Sequence, residues 1–142
     1  MTVWAEIYST IQGSTEAHKC PDCYISEQMY VEYNKNKFLN ESEKREIFFI
    51  FRLYKNWKTR LNKFDQTDLV NHLLRKILRN SYQGPIINFL FIDEVQDLTP
   101  ATIYLISQIV SNTIFYAGDT AQSISKGVIF KFSDIKLLFK RN

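Results

Sequence analysis

The stretch Ile86-Ile87-Asn88-Phe89-Leu90-Phe91-Ile92-Asp93-Glu94-Val95-Gln96-Asp97 decides how the chain is read. Its first part is short, apolar apart from Asn88, and preceded by Gly84-Pro85, which is how a β-strand buried on both faces reads. Two acids end it. Downstream, Thr99-Pro100 supplies an N-cap and a first helical residue, and Leu98 is placed as a hydrophobic staple. Ile103, Ile106, Ile109 and Val110 then recur at helical spacing. Thr113 to Ala117 forms a second apolar strand, closed by Gly118-Asp119. Strand, helix and strand in so short a span make a βαβ unit, whose strands are expected to be parallel with a right-handed crossover. Ligands of such sheets sit beyond the carboxyl ends of the strands. Both strands deliver carboxylates there.

Upstream of Gly84-Pro85 the patterns are helical. Val3, Ile7, Tyr8 and Ile11 share one face, with Thr2 as N-cap and Gly13 placed to stop the helix. Ser26 to Tyr33 adds a short helix. Ile47, Ile50, Phe51, Tyr54, Trp57 and Leu61 repeat every three or four residues behind the cap candidates Asn40 and Ser42, predicting the longest helix. Asp65 caps a further one, striped by Leu69, Val70, Leu73 and Ile77. The expected organisation is therefore a mainly helical part over 1–84 and an α/β part over 85–142.

Composition narrows the class. The chain has 142 residues, 45% hydrophobic and 15% aromatic, with four glycines and three prolines, which excludes disordered and collagen-like sequences. No apolar run approaches the roughly 20 residues of a membrane span. Met1 to Ile11 carries Glu6 and lacks the basic and long apolar regions of a secretory signal. A cytoplasmic or nuclear location and no membrane partner are expected. The net charge of +3 is unevenly spread: Lys44 to Arg79 holds ten Lys and Arg against Glu46, Asp65 and Asp68, whereas residues 81–142 balance five against five. A basic helical segment is compatible with nucleic-acid contact, although from charge alone a solvated helix face is the plainer reading. Cys20-Pro21-Asp22-Cys23 with His18 is half a zinc site or a redox pair; with no second such pair, reduced cysteines are the plainer reading.

An apolar strand ending in Asp93-Glu94 has what a Walker B element requires. The first carboxylate holds Mg²⁺ through water, and the second polarises an attacking water. Two acids at a strand end also begin many ordinary turns. The strings Asp93-Glu94-Val95-Gln96-Asp97 and Gly118-Asp119-Thr120-Ala121-Gln122-Ser123-Ile124, about 25 residues apart, are sharper. They closely resemble the second and third motifs of the UvrD/Rep-like superfamily 1 helicases. Phe64-Asp65-Gln66-Thr67-Asp68-Leu69 resembles the segment that precedes the Walker B strand in that family. Gly127-Val128-Ile129-Phe130-Lys131-Phe132-Ser133-Asp134-Ile135 is similar to the continuation found in large eukaryotic members that also carry tetratricopeptide and ankyrin repeats.

The resemblance implies an α/β fold: a partial P-loop NTPase (RecA-like) core with parallel strands, over 85–142, preceded by a helical inserted subdomain over 1–84. It implies ATP and Mg²⁺ as cofactors, with Asp93 associated with the metal and Glu94 beside it activating water. Gln122 would sense the γ-phosphate and act with Glu94 in hydrolysis. Asp93, Asp119 and Gln122 would face the nucleotide, and Gln96, Asp97 and Lys126 would couple it to single-stranded DNA or RNA. Two departures follow from the residues. None of Gly13, Gly84, Gly118 and Gly127 is followed by Lys-Ser/Thr, so the chain holds no P-loop, and Ser125 stands where the family has a base-stacking aromatic. The isolated chain is thus expected to be an inactive slice of a helicase whose remaining subdomains are its partners. The alternatives are a non-catalytic interaction module built on the aromatic helix, and a nuclease on Asp93, Glu94 and Asp97. The nuclease needs a nearby catalytic lysine, which Ile86 to Ile114 lacks.

Overall fold

The computed structural model describes residues 3–32 and 39–119. Five helices and two strands follow one another: α1 (Val3–Glu6), α2 (Glu27–Glu32), α3 (Glu41–Arg60), α4 (Gln66–Asn80), β1 (Ile87–Ile92), α5 (Pro100–Ser107) and β2 (Val110–Tyr116). The fold is mixed helix and sheet. β1 and β2 pair in parallel, with Phe91 opposite Phe115 and Ile92 opposite Tyr116, as the βαβ reading requires.

Local capping chemistry sets the helix starts. At α3 the Asn40 side chain accepts the Glu43 N–H at 3.0 Å, while the Glu43 carboxylate accepts the Asn40 N–H at 2.8 Å. At α4, Asp65 and Asp68 make the same reciprocal pair. Each such cap is worth about 1 kcal/mol. Thr99 caps α5 by accepting the Thr102 N–H at 3.2 Å, Pro100 takes the first helical position, and Leu98 packs with Ile103 as the staple. Thr2, the expected cap of α1, lies outside the described residues. After Glu6 the N-terminal helix widens into a π turn over Ile7–Ile11.

The main core gathers Ile7, Ile11, Ile25, Tyr30, Ile47, Phe48 and Phe51. α3 is turned relative to the expected stripe: Lys44, Ile47, Phe48, Phe51 and Lys58 are buried, whereas Ile50, Trp57 and Leu61 are exposed. α4 is offset likewise, burying Thr67, Val70, Asn71 and Leu74 and exposing Leu69 and Leu73. The physical reason is polar. Lys58 reaches Asp65 at 2.6 Å and Asp68 at 2.5 Å, and Asn71 donates to the Gln12 and Cys23 carbonyls at 3.0 and 3.2 Å. Burying these groups with their partners rotates both helices away from the purely apolar solution.

A smaller cluster joins Val95 and Ile103 with Ile92, Leu98 and Tyr116, so one face of the two-stranded sheet is packed. The other is open. Phe89, Phe91 and Phe115 are exposed, with the Phe91 and Phe115 rings stacked at 4.7 Å. The expectation of a strand buried on both faces is thereby corrected: α5 covers one face of β1 and nothing among the described residues covers the second. α5 also ends at Ser107, earlier than Ile109 and Val110 implied, and Val110 pairs with Ile87 in β2 instead. The helical part docks on this unit through Gly13, whose carbonyl accepts the Ala101 N–H at 2.9 Å. A Cβ on Gly13 would lie 2.9 Å from Thr99 Cβ, so this close approach requires glycine.

Candidate nucleotide-hydrolysis site

Beyond the last paired residues the two strand ends stay laced together. The Ala117 N–H donates to the Ile92 carbonyl at 2.8 Å, and the Val95 N–H donates to the Ala117 carbonyl at 3.0 Å. Between them the Asp93 carboxylate accepts the Glu94 N–H at 2.8 Å. Glu94 adopts a left-handed conformation, φ 53° and ψ 41°, and a 3₁₀ turn follows over Val95–Asp97. A left-handed glutamate is costly for an L-residue, and the laced strand ends hold it there. The turn buries two adjacent residues between exposed acids: Val95 and Gln96 are fully buried, while Asp93, Glu94 and Asp97 are exposed.

Gln96 is the tie between the tips. Its Oε1 accepts the Asp119 N–H at 3.1 Å, and its Nε2 donates to the Glu94 carboxylate. The backbone donor at Asp119 fixes which end of the amide faces which partner. A Cβ on Gly118 would strike Gln96 Oε1 and lie 2.9 Å from Val95 Cγ1. The glycine of the second tip is therefore required by the glutamine of the first. Both polar ends of the buried amide are used, which offsets its desolvation.

The structure brings Asp93, Glu94, Gln96, Asp97 and Asp119 to one end of the sheet. Gln122, Lys126 and the Gly127 to Ile135 segment lie outside the described residues. Among the described residues no group of three His, Cys, Asp or Glu is arranged to hold a metal, which covers the His18, Cys20 and Cys23 half-site; both cysteines are free thiols. Asp93 and Glu94 nonetheless fit Mg²⁺. That ion keeps several waters and takes one or two protein carboxylates with substrate phosphates, so two exposed hard-oxygen donors suffice. The phosphate cradle does not come from this chain, since no glycine precedes a Lys-Ser/Thr pair.

Contacts from far along the sequence meet the start of α4. The Tyr8 hydroxyl donates to Gln66 Oε1 at 3.3 Å. Burial pushes the Tyr8 hydroxyl pKa up, and the charges of Asp65 and Asp97 push it further. Gln12 Nε2 donates to Asp68 at 3.4 Å. The parts Tyr8, Gln12 and Gly13 play in joining the elements are not legible in the sequence, because each meets a partner more than fifty residues away.

The UvrD/REP helicase N-terminal domain family matches residues 10–140 of the chain. A human protein, TPR and ankyrin repeat-containing protein 1, is 36% identical over 140 residues, covering 96% of this chain. The chain spans about 5% of that protein's length. No solved structure matches.

Proposed function

The chain belongs to the UvrD/REP helicase N-terminal domain family, and from that membership we propose that it carries the hydrolytic strand tips of an ATP-dependent helicase. The βαβ unit is read as part of a RecA-like P-loop core, and the helices over 1–84 as the subdomain inserted ahead of the Walker B strand. In the whole protein, ATP hydrolysis would drive movement along single-stranded DNA or RNA, with the basic stretch of Lys44 to Arg79 contributing sequence-independent phosphate contacts.

The single observation behind this reading is the tie formed by Gln96 between the Glu94 carboxylate and the Asp119 backbone. Mg²⁺, when bound, would neutralise charge on the phosphates, and Asp93 would hold it through water. Glu94 would accept the proton of the attacking water on the carboxylate oxygen that Gln96 leaves free. Gln96 orients Glu94, and through Asp119 it senses the position of the second tip. Because the third motif begins there, a shift at one tip reaches the other through one side chain.

Glu94→Gln in the full-length protein is expected to lower ATP turnover about 100-fold or more, the usual effect of losing a general base. Full turnover in that variant would overturn the assignment. For the isolated chain, turnover no greater than that of an Asp93→Asn, Glu94→Gln double variant is expected, since it lacks the phosphate cradle. Mg²⁺-dependent hydrolysis abolished by the double substitution would overturn the slice reading.

A further inference from the structure

The outer face of α3 is not that of an ordinary solvated helix. Opposite its buried residues, Phe49, Leu53 and Trp57 recur every fourth position and are 61%, 54% and 55% exposed. Residues four apart stack along a helix, so the three make a continuous apolar ridge about 12 Å long, which exposed Leu61, four residues further on at the helix end, extends. Trp57 is already held: its ring stacks on Tyr54 with centroids 6.2 Å apart, and the Tyr54 hydroxyl donates to Asp65 at 2.8 Å. Little side-chain freedom is left for a partner to freeze. The exposed charges along this face begin with Glu46, one turn ahead of Phe49, and continue with Arg52, Arg60 and Lys63; no Asp or Glu occurs between Ile47 and Phe64, so the ridge itself is edged by basic groups.

We propose that this ridge docks an amphipathic helix from outside residues 1–142, one whose apolar stripe is edged with Asp and Glu. Three other occupants fit worse. A second copy would set basic ridge against basic ridge, and like charges across an interface oppose association. Within residues 1–142, the segments 33–38 and 120–142 have the wrong charge: 33–38 carries Lys35 and Lys37 with no acid, and 120–142 carries Lys126, Lys131, Lys136, Lys140 and Arg141 against Asp134 alone. A nucleic-acid strand matches the charge but not the ridge. Its central residue is Leu53, which offers no ring to stack, and the rings on either side are about 12 Å apart, against roughly 3.4 Å per nucleotide along a strand. Apolar anchors spaced four apart are what a partner helix reads.

The test is fluorescence anisotropy of a labelled helical peptide with a leucine stripe and glutamates on its remaining faces, titrated with the full chain. Controls are a scramble of the same composition, the same peptide with every Glu replaced by Lys, and an oligothymidine. Saturable binding of the Leu/Glu peptide at least about 10-fold tighter than either peptide control, weakened about 10-fold by Trp57→Ala and by Leu53→Ala, is expected. Leu53→Ala changes an exposed helical site to the best helix former, so it keeps the test valid should Trp57→Ala unfold. Equal binding of the scramble, no binding of the Leu/Glu peptide, or full affinity in both variants would overturn the proposal. Oligothymidine binding that is tighter than the peptide's and lost in the same variants would also overturn it, assigning the ridge to nucleic acid.

Discussion

At the scale of single residues, the pair Gly118 and Gln96 shows how a motif letter acquires its reason. Glycine at a strand end is commonly a matter of backbone freedom, but here the space for a side chain is already filled by Gln96 Oε1 and Val95 Cγ1. Gly118→Ala is therefore expected to cost about 1–3 kcal/mol, the usual price of overpacking a filled site, measured by urea unfolding. Combining it with Gln96→Ala vacates the contested space, so the two losses should be clearly less than additive. Additive losses would mean that the two residues do not meet. Asp93 and Glu94 were legible in the sequence as an acidic pair at a strand tip. The buried Gln96 was legible only as a letter of the motif, because its partners Glu94 and Asp119 meet across the sheet.

At the scale of elements, α3 and α4 are joined by a charged node rather than by a shared apolar seam. Lys58, almost fully buried, contacts both Asp65 and Asp68. Burial acts to raise the Asp65 carboxyl pKa, but hydrogen bonds from Lys58, Thr67, the Asp68 N–H and Tyr54 outweigh it and bring it down to about 2. A carboxyl lowered on folding contributes stability that is fully present above its unfolded pKa of 3.8 and is lost as pH falls toward about 2. We expect roughly 2 kcal/mol to disappear over that interval, seen as a falling urea midpoint. Asp65→Asn should remove most of that slope, and an unchanged slope in this variant would refute the node's role. Removing Lys58 alone, as in Lys58→Ala, should destabilise by about 3 kcal/mol or more, because two partly buried carboxylates then face each other uncompensated. Helix existence and caps were readable because capping is local. The rotation of both helices was not, because a lysine on the inward face looks like a surface residue until its partners on the next element are known.

At the scale of the molecule, two clusters and one open sheet face coexist. Among the described residues, Phe89, Phe91 and Phe115 form an apolar surface on a two-stranded sheet with both strands at an edge, an arrangement that favours self-association. The isolated chain is expected to scatter light increasingly with concentration, and Phe91→Lys to suppress this without lowering the melting temperature, since Phe91 is 75% exposed. A strictly monomeric unmodified chain by sedimentation would count against it. Among the described residues no helix is long and apolar enough to cross a membrane.

Residues close along the chain, or at a fixed spacing, were enough to specify the parallel βαβ unit, the caps of α3, α4 and α5, the two acidic strand tips and the family. Only the tertiary structure decided which faces of α3 and α4 turn inward, that Gln96 ties the tips together, and that Gly13 meets Thr99. Those outcomes depend on where the partners of buried polar groups lie. A chain cannot satisfy Lys58, Asn71 or Gln96 locally, so their positions follow from contacts that exist only once distant segments have come together.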